Sequence, residues 1–146
     1  DLENFYTDIG RYIFEIEEMV IRTLAEYSIT GGRSKGETGV WIDAEIPARA
    51  RKICAIGIRC SRWITMHGFA LNVNTALDYF DHIIPCGIAG KQVTSIEKEL
   101  GHRVDINEVK TKLCRHFESV LNCSLFSGTM TLLSNKNPQF TTSYCP

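Results

Sequence analysis

The sequence predicts an α/β domain in which a mixed β-sheet is flanked by helices. Three observations predict it. Residues 9–27 carry apolar side chains at steps of three and four, the period of a helix that buries one face. Residues 52–74 form the most apolar part of the chain, with the composition and alternation of two or three strands. Residues 105–121 return to the helical period. Strands grouped between helices bury their apolar face against them, which makes a layered α/β fold.

In the first element Ile9, Tyr12, Ile13, Ile16, Met19, Val20, Leu24 and Tyr27 share a face, Glu15, Glu17 and Glu18 hold the wet side, and Gly31-Gly32 is the stop signal. "GGRSKGE" (31–37) reads as a loop, "TGVWID" (38–43) as a short strand, and "AEIPARA" (44–50) as a loop whose Pro47 excludes a central strand. Within "KICAIGIRCSRWITMHGFALNVN" (52–74), "ICAIGI" is apolar on both faces like a buried central strand, and "CSR" is the expected hairpin turn. In "ALNVN", Leu71 and Val73 point one way and Ala70, Asn72 and Asn74 the other. "ALDYF" (76–80) is a short helix or turn. "TSIE" is a capping box, with Thr94 capping and Glu97 reaching back, for a helix that stops at Gly101. Asp105 opens the last helix, with Ile106, Val109, Leu113, Phe117, Val120 and Leu121 on one face. The chain thus divides into a domain over 1–123 and a polar tail over 124–146, where "SLF" is a candidate strand.

Composition narrows the function classes. With 146 residues, 44% hydrophobic and 23% charged, the chain has the make-up of one soluble globular domain. Sixteen Lys+Arg against seventeen Asp+Glu leave no basic surplus for a nucleic acid or an anionic membrane. The longest apolar runs fall far short of a membrane span, and the acidic start "DLENFYTDIG" is no signal peptide. Six cysteines without C-x-x-C or zinc spacing read as free thiols in a reducing compartment rather than as metal ligands.

One stretch carries chemistry: "HIIPCGIAG" (82–90). Cys86 admits two readings. Free cysteine is among the most buried residue types, which makes it a space-filling thiol. Yet Pro85 fixes φ, and Gly87 lets a carbonyl come close to backbone N–H groups, the surroundings of a nucleophile with an oxyanion site. A nucleophilic thiol needs a base or cation, because the thiolate is the reactive form. His67, His82 and Lys52 are the candidates. Lys52 opens an apolar strand, where desolvation favours a neutral amine that can take the thiol proton; the competing reading is a strand-end lysine reaching water.

"TGVWID", "RKICAIGIRCSRWITMHGFALNVN" and "YFDHIIPCGIAGKQVTSIEKELG" together resemble the octanoyltransferases of lipoate biosynthesis, also called lipoyl(octanoyl) transferases. The K-I-x-A-I-G, H-G-x-A-L-N-V-N and P-C-G segments stand in family order and spacing, and the similarity runs from the first helix to about Phe117. The resemblance implies the catalytic fold shared by biotin protein ligases and lipoate ligases. It implies Cys86 as acyl-thioester nucleophile and Lys52 as its base. It implies that Ala55, Ile56 and Gly57, with Gly68, Phe69 and Ala70, line the acyl site. The octanoyl donor would be acyl carrier protein, and the acceptor a lysine of a lipoyl domain, of a 2-oxoacid dehydrogenase or the glycine cleavage H protein. No cofactor, nucleic acid or membrane enters. The setting would be the bacterial cytoplasm, or a mitochondrion in a eukaryote.

The chain departs from the family in three places. The R-G-G-x-x-T-Y-H-G-P-G-Q segment is absent, so the resemblance implies an N-terminally incomplete domain, a fragment or a truncated relative, with an exposed sheet edge. Ala76 stands where the family usually has Asp, and the tail after Ser124 matches nothing. Two other readings stay open: a non-catalytic relative that binds acyl chains or lipoyl domains, and an amidotransferase moving octanoyl or lipoyl groups between protein lysines.

Overall fold

A computed structural model describes residues 1–82 and 92–126; Cys86 and the chain past residue 126 lie outside the described residues. After a 3-10 turn at Leu2–Asn4, helix α1 spans Ile9–Ala25, capped by the Asp8 carboxylate, which accepts from Arg11 N–H at 2.9 Å. Four strands follow: β1 (Gly31–Ser34), β2 (Glu37–Ile42), β3 (Arg51–Ser61) and β4 (Ile64–Leu71). A 3-10 turn at Leu77–His82, strand β5 (Gln92–Val93), helix α2 (Ile96–Leu100) and helix α3 (Ile106–Leu121) complete the order. Strands β1 to β4 form an antiparallel meander, and β5 joins β3 in parallel where β4 has ended. The sheet is therefore mixed, as the sequence predicts. No described helix is long and apolar enough to cross a membrane.

The core lies between the sheet and α1 with α3. Ile16, Met19, Val20 and Leu24 of α1 meet Val40 and Ile42 of β2, Ile53 and Cys54 of β3, and Val109 of α3. Leu113, Phe117 and Val120 of α3 pack against this cluster, and Leu71 and Val73 point into it. Leu121 is buried as expected, but Ile106 is half exposed, because a side chain in the first turn of α3 projects past the core. None of Cys54, Cys60, Cys114 and Cys123 is in a disulfide.

Several expectations are corrected. Residues 31–34 are a strand, not part of a loop: they pair with β2 through a turn at Lys35-Gly36, Gly36 having φ 79°. Gly31 is a close-packing residue, not a helix stop; a Cβ there would sit 2.9 Å from Leu24 Cδ1. The hairpin turn is Arg62-Trp63, one residue beyond the middle of "CSR", because both residues take the positive φ that this tight turn demands. β3 is buried only at Ile53 and Cys54; Ala55 and Gly57 are exposed, so it is no fully buried strand. Ser95, not Thr94, caps α2, because Thr94 N–H still bonds the Lys52 carbonyl as a ladder residue. Position 98 is then Lys, and no capping box forms. Gly101 ends α2 in the left-handed region as expected. No strand forms at residues 124–126. Glu17 is buried at 6% exposure rather than on the wet side of α1, for a reason that lies in the site.

Candidate active site

A bulge decides which way Lys52 faces. Trp41 pairs with Lys52, but Val40 pairs with Cys54, so β3 holds one extra residue at this point. Two consecutive residues, Ile53 and Cys54, then turn into the core together, and both are fully buried. Lys52 falls on the opposite face, with Trp41 beside it. Its ammonium lies 4.6 Å from the centroid of the buried Trp41 ring and donates to the Thr38 carbonyl at 3.2 Å. A cation over an indole face is attracted by the ring quadrupole, so two contacts fix the lysine's end.

The same alternation carries Ala55 and Gly57 onto the Lys52 face. The β3–β4 register sets Ala55 against Ala70, Ile56 against Phe69 and Gly57 against Gly68. The two glycines and two alanines make a floor without bulk, and a Cβ built on Gly57 or Gly68 meets nothing within 4 Å. Ile56 and Phe69 point to the helix side, where Ile56 packs on the core and Phe69 remains 39% exposed. The six residues thus pair two by two, and four of them share the face of Lys52. His67, next to Gly68, has φ 69° within β4, an uncommon conformation for a residue with a side chain.

Cys86 and the side chain of His82 lie outside the described residues. The chain on the far side of that stretch is placed, however: β5 sets Gln92 against Arg51 and Val93 against Lys52. Arg51 then locks the next turn. Its guanidinium makes a two-pronged pair with Glu99, at 2.7 and 2.6 Å, and reaches Asp43 at 2.6 Å, while the Thr94 hydroxyl donates to Glu99. The Cys54 thiol, two positions after Lys52, is buried in the core. Burial, reinforced by the Glu17 charge and opposed by Lys52, pushes its pKa up to about 12, which leaves it protonated and inert.

Nothing in the sequence singles out the residues that hold Lys52. Gly39 has φ 119°, and a Cβ there would lie 2.5 Å from the Cys54 carbonyl oxygen. Glu17 of α1 accepts from the Gly39 N–H at 2.9 Å and from Arg33 Nε at 3.0 Å, which explains its burial. A buried carboxylate is tolerated when it is paired and hydrogen-bonded. The available signals were a glycine beside the strand "VWI" and a single arginine, Arg33, in "GGRS"; neither identifies a partner on α1 by spacing.

A family model described as the lipoyl protein ligase A/B catalytic domain matches residues 1–118. A protein of Flavobacterium psychrophilum named octanoyltransferase is 60% identical over 126 residues, 86% of this chain and 54% of its own length. Octanoyltransferase of Cytophaga hutchinsonii is 51% identical over 131 residues, 90% of this chain and 54% of its own length. The chain spans about half the length of the curated relatives it matches. Among solved structures, a lipoate-protein ligase A bound with ATP aligns with a TM-score of 0.67 at 18% identity, covering 86% of this chain and 51% of that one. An apo biotin protein ligase from Aquifex aeolicus aligns at 0.58 and 18%, covering 78% of this chain and 46% of that one. At such identities the likeness shows the fold alone.

Proposed function

The chain belongs to the lipoyl protein ligase A/B catalytic-domain family, and from that premise we propose that it carries the nucleophile and base of an octanoyltransferase in lipoate biosynthesis. Lys52, as the neutral amine, takes the proton of Cys86 and passes it to the carrier's pantetheine sulfur as that group leaves. The thiolate attacks the octanoyl thioester of acyl carrier protein, the carrier's pantetheine thiol leaves, and the acyl group rests on Cys86. The ε-amine of a lipoyl-domain lysine then attacks this second thioester, and Cys86 leaves as a thiol. The first exchange is nearly balanced, while amide formation draws the second half forward.

One observation carries the reading: Val93, seven positions after Cys86 in the sequence, is the ladder partner of Lys52. The strand that follows the cysteine segment therefore starts beside the lysine. The floor of Ala55, Gly57, Gly68 and Ala70 supports an acyl chain on the same face. Burying six methylenes there contributes about 5 kcal/mol at ~0.8 kcal/mol each. The relatives are bacterial, which favours the bacterial cytoplasm as the setting.

Intact-mass measurement after mixing the protein with octanoyl carrier protein tests the proposal. The expected product is one octanoyl adduct, mapped to Cys86 and lost in Cys86→Ala. A folded wild-type sample that stays unmodified would refute the acyltransferase reading and leave that of a binding module.

A further inference from the structure

The Thr38–Gly39 peptide group is held at both ends by side chains. Its N–H donates to Glu17 Oε1 at 2.9 Å, and its C=O accepts from Lys52 Nζ at 3.2 Å. We infer that Glu17 is a positioning residue for Lys52, acting through this peptide. The inference rests on the proposed role of Lys52 as the base of Cys86 and adds a residue to that site.

Four observations support it. The register toward β1 breaks across the peptide, between Gly32 paired with Trp41 and Ser34 paired with Glu37, and the register toward β3 breaks just beyond it, between Val40 and Trp41. Side chains from α1 and β3 take its hydrogen bonds where the β1 ladder is interrupted. Gly39 has no side chain to lock the peptide's rotation, and the Cys54 carbonyl excludes any residue that has one. The Glu17 carboxylate is itself aimed: its other oxygen receives Arg33 Nε at 3.0 Å, and Arg33 also binds Glu18 at 2.9 Å, the Phe14 carbonyl at 3.0 Å and the Phe14 ring. Finally, Glu17 is 6% exposed, so water does not compete for the Gly39 N–H.

The physical consequence is geometric and electrostatic. A base works only within hydrogen-bond reach of the proton it takes, and small misplacements cost rate. A flexible lysine gains a fixed end from the Thr38 carbonyl. That carbonyl is a better acceptor because the N–H of its own peptide is itself hydrogen-bonded, since linked hydrogen bonds polarise one another.

Two substitutions separate reach from charge. Glu17→Gln keeps an oxygen at the Gly39 N–H without the charge; Glu17→Asp keeps the charge but withdraws the oxygen by one methylene. The readout is the rate of Cys86 alkylation by iodoacetamide at neutral pH, resolved by peptide mass spectrometry, in samples that melt as folded proteins. Loss of one hydrogen bond of about 1 kcal/mol corresponds to roughly fivefold, so Glu17→Asp should slow the reaction about fivefold and Glu17→Gln less than about twofold. In a Lys52→Met background neither change should have a further effect, which a merely structural role would not produce. An unaltered rate in Glu17→Asp, or effects of Glu17→Asp and Lys52→Met that multiply, overturns the inference and leaves the base role of Lys52 standing. A wild-type rate in Lys52→Met overturns both. A second measurement needs no change at Glu17: Lys52→Met should speed amide exchange at Gly39 relative to Val40, and an unchanged ratio overturns the coupling.

Discussion

At position 39 a methyl group has nowhere to go. The φ of 119° is foreign to residues with a side chain, and the built Cβ lies 2.5 Å from the Cys54 carbonyl oxygen. Gly39→Ala should therefore lower stability by more than about 2 kcal/mol in urea unfolding. Gly57→Ala is the contrast, because its Cβ enters open space, and it should unfold within about 0.5 kcal/mol of wild type. Equal losses at the two positions would contradict this division. Glycines in this chain thus do two different jobs: one admits a peptide to a crowded place, and others keep a surface flat. Sequence alone distinguishes neither, since a lone Gly inside a strand pattern signals a bulge, a bend or a close approach alike.

Among elements, the join between the start of β3 and α2 has a pH signature. The hydrogen bonds from Arg51 first, and from Thr94 after the opposing effect of burial, hold the Glu99 carboxyl below its ordinary value. A carboxylate whose pKa falls on folding stabilises the protein fully above the unfolded value. That stabilisation is lost as pH drops through the lowered folded value. Glu99→Gln should therefore cost about 1.5–3 kcal/mol at pH 7, the range for hydrogen bonds to charged groups. The gap to wild type should narrow once the pH falls below the ordinary value of 4.5. Melting curves from pH 7 to acid check it, and a gap that stays constant would show that the Glu99 charge contributes nothing. Asp43, on the same guanidinium, is lowered by the same cause and adds to the acid sensitivity.

At the scale of the molecule, burial among the described residues is lopsided. One face of the sheet is covered by α1 and α3, while the outer half of the β3–β4 hairpin exposes Trp63, Ile64, Met66 and Phe69. The hairpin tip is tied back by the Leu2 N–H to the Trp63 carbonyl at 2.8 Å. Amides that sit in the packed half should open only with global unfolding, and those at the tip should open locally. Hydrogen exchange is expected to be slowest at Val20, Leu24, Ile53 and Cys54 and fastest in β3 and β4 from Cys60 to Thr65. Uniform protection along the hairpin would mean that its outer half shares the cooperative core.

What the sequence by itself determined was periodic and local. The two amphipathic helices follow from spacing at 3.6 residues, the α3 cap from Asp105, the α2 stop from Gly101, and the strand block from apolar density. Cys86 carries a local mark in its Pro85 and Gly87 flanks, and Lys52 in opening an apolar strand, but only the resemblance in three registered segments chooses between the inert and the reactive reading of each. Tertiary structure decided what spacing cannot encode. A one-residue bulge sends Ile53 and Cys54 inward together and turns Lys52 to the opposite face, beside Trp41. A glutamate that reads as part of a wet helix face is buried, because Arg33 and the Gly39 N–H wait for it across 16 and 22 positions of chain. Those partners meet only when α1 lies on the sheet. Their identity therefore belongs to packing, where the energy of a buried charge depends on what touches it and not on its neighbours in sequence.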